Sequence, residues 1–305
     1  MDIILNSKFF AELNPTGLAA KVSDLGYDGV DLCIRPGHPV DPENVDSALV
    51  PAVAELEEAG LHCPLVSAPV DFNDPRDPAA ERLFAACAAA GVPRIKIGYW
   101  YYGEGEDYWA VLARAREGLA GFAELSRRYR VQTCCHTHSG ACLGSNCAGL
   151  MQLIADFAPD EVGAYPDFGH MALDGEDLAM GLGMLKGRLS IVAAKDATHV
   201  EREGEPPRGP IFTHVGAGSV DWRRSLRLLA AMEYAGPIAV HTEYSFAEAI
   251  IRQVGYADSK PPDLEHLARQ DAARLRLEEE QGAAVRAAAE RLAGVLDAWR
   301  ARVAV

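Results

Sequence analysis

Eight times along this chain a short apolar, β-rich run gives way to a longer stretch of helical pattern, and this alternation limits the fold more than any other feature. The strand-like runs occupy residues 3–5, 29–33, 63–67, 94–98, 131–135, 162–165, 189–194 and 237–242. Helical stretches begin near Thr16, Val45, Pro78, Glu106, Asn146, Gly175 and Asp221. Such alternation implies parallel strands joined by right-handed crossovers. Asn14-Pro15-Thr16 opens the first helix and Gly26 closes it, while Asp77-Pro78 opens the third and Gly91 with Pro93 ends it. No G-x-G-x-x-G follows the first strand, so an open dinucleotide-binding sheet lacks its signature. Gly216-Ala217-Gly218 lacks the third glycine, precedes a late helix and reads as a loop. The α/β pattern therefore predicts a closed (β/α)8 TIM barrel over residues 1–256, a length in keeping with the ~250 residues such barrels need.

From about Pro261 alanine, arginine and glutamate dominate, and Val285, Ala288, Leu292, Val295 and Trp299 recur at three- and four-residue spacing. The expectation for 257–305 is a C-terminal helical extension, suited to covering the barrel bottom or to joining a second copy as a homo-oligomer.

Charge and cysteine usage set the partners. Against 29 Lys and Arg stand 44 Asp and Glu, a net charge of −15. That surplus argues against a nucleic-acid binder, which concentrates cations on its contact face. No apolar run reaches the ~18–20 residues of a membrane span, and the opening MDIILNSKFF lacks the basic start and long apolar core of a secretory signal. Seven cysteines form an odd set without C-x-x-C spacing, which reads as reduced thiols and a cytoplasmic address.

In a barrel the chemistry sits where strands end. The fifth run ends in Cys134-Cys135-His136-Thr137-His138, and side-chain alternation puts His136 and His138 on one face, ~7 Å apart along the backbone. The sixth ends in Tyr165-Pro166-Asp167-Phe168-Gly169-His170, offering a hard oxygen and an imidazole in one loop. The seventh ends in Ala193-Ala194-Lys195-Asp196; lysine inside a barrel is paired or useful. The eighth ends in Val240-His241-Thr242-Glu243, where His241 and Glu243 again share a face. Four consecutive strands thus each supply acid, base or ligand groups. On the substrate side, Arg35 could clamp a carboxylate or phosphate, Trp100 and Tyr102 could stack on a sugar ring, and Asp196 could bind hydroxyls.

These motifs resemble the xylose isomerase-like barrels, the sugar phosphate isomerase/epimerase group. The likeness runs over roughly residues 10–250 and includes Leu25-Gly26-Tyr27-Asp28-Gly29-Val30-Asp31-Leu32, the Asp167/His170 loop, Lys195-Asp196, Gly216-Ala217-Gly218-Ser219-Val220-Asp221-Trp222 and Tyr234-Ala235-Gly236. The resemblance implies a divalent site built from Glu, Asp, His and Glu on strands five to eight, positions matched here by His136, Asp167, Ala193 and His241. Asp167 alone is retained in kind; His138 and Glu243, two residues further along their strands, complete a rearranged set. A donor set of His136, His138, Asp167 and His241 suits Mn, Zn, Co or Fe better than Mg. The activity implied is isomerisation or epimerisation of a sugar, sugar acid or cyclitol through an enediolate, with Glu243 as base and Lys195 or His170 steadying the oxyanion. A dehydratase or lyase using the same enolate, a barrel nuclease acting at abasic DNA, and a non-catalytic small-molecule binder are the rivals.

Overall fold

Apolar side chains at every second position make each run a strand, and the structure pairs them in parallel around a ring. The coordinates are a computed structural model that describes residues 1–201, 208–241, 243, 265 and 268–280. The elements follow one another as β1 (Ile3–Asn6), a 3-10 turn (Ser7–Phe9), α1 (Pro15–Leu25), β2 (Gly29–Cys33), α2 (Val45–Glu58), β3 (His62–Ser67), α3 (Pro78–Ala89) and β4 (Arg94–Lys96). They continue with α4 (Tyr108–Tyr129), β5 (Gln132–His136), α5 (Cys147–Ile154), β6 (Val162–Tyr165), α6 (Phe168–Leu173), α7 (Leu178–Met184) and β7 (Val192–Ala194). A hairpin of β8 (Asp196–Glu201) and β9 (Arg208–Thr213), then α8 (Trp222–Ala231) and β10 (Ile238–Val240), complete the named elements.

The sheet order is β6-β5-β4-β3-β2-β1-β10-β7, and parallel bridges Ala164 to Leu189 and Asp167 to Ala193 bring β7 against β6. The ring is the (β/α)8 barrel expected. Local signals act as read from the sequence: Asn14 Oδ1 accepts from Gly17 N, Pro15 starts α1, and Gly26 ends it at φ +85°, where a side chain would be strained. Asp77 caps α3 in the same way.

Two stretches differ from expectation. The helix expected to begin near Gly175 is α7, and a further short helix, α6, precedes it, the two separated by a turn at Gly175 with φ +67°. Between β7 and α8 the chain also forms the antiparallel hairpin β8–β9, which the barrel rhythm did not foresee. The proposed division at 256/257 and the stripe from Val285 to Trp299 lie outside the described residues. Residues 268–280 are helical, and Ala268, Ala272 and Leu275 are buried in the main core. Arg269 pairs with Asp24 of α1 and Glu278 with Arg223 of α8, so this stretch stands in the helical layer between the two.

Side chains divide the interior into two cores. The larger lies between strands and helices. The smaller fills the barrel with Ile4, Leu65, Cys134, Tyr165, Ile191, Ala193 and Ala239. All seven cysteines are buried and unpaired. Among the described residues, no helix is long and apolar enough to cross a membrane.

Candidate active site

The barrel plug fixes the site above it. Two residues beyond Ile4, Leu65, Cys134, Tyr165, Ala193 and Ala239 stand Asn6, Ser67, His136, Asp167, Lys195 and His241, all buried. Inward positions recur with period two, so one apolar layer is followed toward the strands' C-terminal ends by one polar layer. Ala193 belongs to the plug; Lys195 is the strand-seven member of the polar layer.

Three of these groups converge. His136, Asp167 and His241 each present a donor atom within 4.8 Å of the others. His136 Nε2 lies 3.2 Å and His241 Nδ1 3.9 Å from Asp167 Oδ2. His136 Nε2 and both ring nitrogens of His241 are buried with no aligned hydrogen-bond partner among the described residues, an uncommon state that a bound cation would relieve, while Asp167 Oδ2 also lies 3.3 Å from Lys195 Nζ. Two imidazoles and one carboxylate form a donor set of borderline softness, which fits Zn, Mn, Fe or Co. His136 Nδ1 lies 3.0 Å from Tyr99 Oη, which orients the ring; with the proton on Nδ1, the inward nitrogen keeps its lone pair. His138 does not join the trio. Its Nδ1 turns to Ser139 O at 3.0 Å, and its ring stacks on His170 and Tyr99 with centroids 4.2 and 4.7 Å away.

Lys195 crosses the same floor. Its Nζ stands 2.8 Å from Glu243 Oε1, 3.0 Å from His170 Nε2 and 3.3 Å from Asp167 Oδ2, in a fully buried position. On the far side of the ring, His170 Nδ1 accepts from Ser139 N at 3.2 Å and lies 2.8 Å from Ser139 Oγ. Burial opposes the lysine charge, but Asp167 and Glu243 outweigh it and raise its pKa above the ordinary value. Burial likewise opposes the Glu243 charge, yet Lys195 and Lys8 hold that carboxyl far below the usual range. Asp167 Oδ1 accepts from His170 N at 3.0 Å, so the residue also caps α6.

Burial first, then neighbouring lysines, pushes His136, His170 and His241 well below the usual histidine value, so all three are neutral at working pH. In an unfolded chain they would charge near pH 6.5. Below that point the unfolded state binds more protons than the folded one, and stability falls with pH by up to about 4 kcal/mol per unit for three such groups. Denaturant unfolding of metal-free protein between pH 7 and 5 measures this; a flat profile would mean that the imidazoles are not held neutral.

A cavity of about 330 Å³ opens above this layer, and Arg35, His138, His241 and Glu243 are among the residues that line it. Trp100 and Tyr102 are not. Trp100 faces a separate groove with Asn73 and Arg76, and Tyr102 Oη donates to Glu106 O at 3.1 Å. The aromatic rings that line the cavity are Phe9 and Tyr99. Asp196 is no substrate ligand: its buried carboxylate accepts from four donors of its own chain, Ala197 N, Gly216 N, Val220 N and Trp222 Nε1. Lys8 and Lys96, which also line the cavity, were missed. The rule that singled out Lys195, a lysine at the end of an apolar strand, applies equally to Lys96.

The chain is thus a closed barrel with a His/Asp/His cluster and a buried lysine at its C-terminal mouth. The description "Xylose isomerase-like TIM barrel" matches residues 19–276, and the chain belongs to that family. Among solved structures it is similar to L-ribulose 3-epimerase, at 17% identity and TM-score 0.69 over 95% of this chain and 97% of that one. It is also similar to 3-keto-D-glucoside 4-epimerase from E. coli, at 16% identity and TM-score 0.67 over 91% and 99%. A xylose isomerase-like barrel from Mycobacterium smegmatis, in complex with magnesium, aligns at 14% identity and TM-score 0.64 over 92% and 97%. No curated protein matches the sequence.

Proposed function

We propose that the chain is an isomerase or epimerase of a polyhydroxy carbonyl compound, working through an enediolate. The observation that carries this is the convergence of His136, Asp167 and His241 beside the Lys195–Glu243 pair. Structural likeness to sugar epimerases supports the same reading. A divalent ion held by His136, Asp167 and His241 would polarise the substrate carbonyl and acidify the adjacent C–H. The chain's own residues supply the proton chemistry. Lys195, fixed as a cation, faces the position where oxygen charge develops. As its ammonium turns toward that oxygen, its hold on Glu243 weakens, and the carboxylate gains proton affinity when a base is needed. His170 keeps Lys195 aimed, and Tyr99 with His138 walls off solvent.

The test is deuterium exchange at the carbon next to the carbonyl of ketoses in heavy water, with metal content measured on protein purified without added metal. We expect about one equivalent of a transition ion in the native protein, none in His136→Ala, and loss of exchange in both His136→Ala and Glu243→Gln. Full exchange in either variant would remove that residue from the machinery.

A second reading rests on Lys195. Its ammonium lies 3.3 Å from the same Asp167 oxygen that a metal would use, so the carboxylate already has a cation. Exchange that survives chelation but not Lys195→Met would select that metal-independent form.

A further inference from the structure

The cavity is positive in a protein that is otherwise strongly negative. Lys8, Arg35 and Lys96 line it, and Glu243, the one carboxylate lining it among the described residues, is already bound to Lys195 at 2.8 Å. None of the three cations has a full partner. Among the described residues Lys8 Nζ meets His241 O and Glu243 Oε1, each at a long 3.4 Å, and stands 5.2 Å from the Phe9 ring centroid; the carboxylate is the one Lys195 already holds. Arg35 is half-buried, and its Nε is enclosed without a hydrogen-bond acceptor. Lys96 is 1% exposed and, among the described residues, has no side-chain hydrogen bond or ion pair; its ammonium sits over the Tyr99 ring, 4.2 Å from the centroid.

Nearby Asp31 offsets Lys96 only in part, with no hydrogen bond or ion pair between the two among the described residues. Its Oδ2 accepts from Asn6 Nδ2 at 2.6 Å and Ser67 Oγ at 3.0 Å, so that oxygen is committed to the barrel interior. Burying a lone lysine is costly, and this one is further opposed by Arg35: burial and that repulsion lower Lys96 to about 7. A fold that keeps three under-partnered cations around one concavity lacks an anion there.

Resting on the carbonyl chemistry proposed above, we infer that the substrate is anionic: a carboxylate or phosphate ester of a polyhydroxy compound, its charged group held by Arg35 and Lys96 with Lys8 at the flank, and its carbonyl end directed to the His136/Asp167/His241 cluster. Arg35 supplies the planar fork that suits two oxygens, and the lysines supply point charges. The net charge of −15 would repel such a ligand at long range, so the local cations must overcome the global field.

Three ketoses separate the alternatives: D-fructose, D-fructose 6-phosphate and 5-keto-D-gluconate, with inorganic phosphate as the control for an adventitious anion. Binding is read by calorimetry and by shift of the unfolding temperature. The two charged ketoses are expected to bind at least about tenfold more tightly than D-fructose, and more weakly as salt rises. Whichever charged ketose binds better identifies the headgroup. Arg35→Met and Lys96→Met should each remove this preference. Because Lys96 is buried without an ion pair among the described residues, Lys96→Met should fold and melt no lower than the native protein, which a purely structural lysine would not do. Equal or better binding of D-fructose, no binding of any ketose, unchanged charged-ketose affinity in Lys96→Met, or phosphate alone matching both charged ketoses would each overturn the inference. Isotope exchange keeps the two conclusions apart. Charged-ketose binding without exchange leaves the anion site standing and removes the enediolate reading; exchange of D-fructose with no preference for charge does the reverse.

Discussion

Replacing Lys195 with methionine is expected to slow substrate proton exchange by about 10²–10³-fold, the usual consequence of losing one oriented group that stabilises developing negative charge. The side chain is fully buried and bridges Asp167, Glu243 and His170. Its removal has a second effect, because two enclosed carboxylates lose their shared cation, and breaking a buried pair in this way costs about 3–5 kcal/mol. The two effects part on measurement. Stability is read by thermal unfolding of the free protein, and catalysis by exchange rate per folded molecule at a temperature where circular dichroism shows the native fold. A Lys195→Met protein that is destabilised but exchanges at the native rate would reduce the lysine to a strut. Lysine to glutamine at the same position should recover part of the stability through one hydrogen bond but little of the rate, since the charge is what the oxyanion needs.

Much of this was legible because period-two alternation is a hard constraint. Once residues 132–136 and 162–165 are strands of one barrel, His136 and Asp167 must share its interior, and their meeting follows from register without any long-range guess. The same rule located His241 and Lys195. It fails one step past a strand's end. After β4 the backbone leaves the ladder: Tyr99 N bonds Val70 O, and Leu143 N bonds Trp100 O. No fixed period then decides which of four consecutive residues, Tyr99 to Tyr102, faces the cavity; Tyr99 does. His138 departs from the His136 face for the same reason, since β5 ends at His136. The hairpin was hidden differently. Its strands carry exposed, polar positions such as His199 and Glu201, because β8–β9 is a two-stranded ribbon outside the barrel and does not show the apolar signature of the barrel strands. The missed lysines show a further gap. A positive cavity in an acidic chain does not appear in composition, since the balance of 29 against 44 charges says nothing of where they sit.

Removing the Asp196 carboxylate is expected to cost stability on the same scale as removing Lys195, with no effect of its own on the chemistry. The carboxylate is fully buried and has no ion-pair partner among the described residues; its charge is satisfied by oriented donors alone. Gly216 N at 2.8 Å, Ala197 N at 2.9 Å, Val220 N at 3.1 Å and the Trp222 indole at 2.9 Å enclose it. It therefore ties the start of the hairpin to the loop that enters α8. Asp196→Ala leaves four donors facing a void. Each unsatisfied buried group costs about 1–3 kcal/mol, and with some relief from entering water the loss should be about 4 kcal/mol, or roughly 8–15 °C in unfolding temperature. Asp196→Asn keeps the shape but sets an amide nitrogen against a donor, and about half that loss is expected. The Gly216-Ala217-Gly218 loop takes its composition from this contact. Gly216 adopts φ +91°, and a Cβ on Gly218 would stand 2.2 Å from Asp196 Oδ1, against a carboxylate that four hydrogen bonds hold in place. Gly218→Ala should therefore destabilise through Asp196 and also through the Ala197 backbone, whose N and O would each lie 2.7 Å from the new Cβ; only the Asp196 share is relieved in the double variant Gly218→Ala/Asp196→Ala, which should still be less unstable than the sum of the two. Strict additivity in that cycle would show that loop and carboxylate are independent, and that the hairpin is anchored elsewhere.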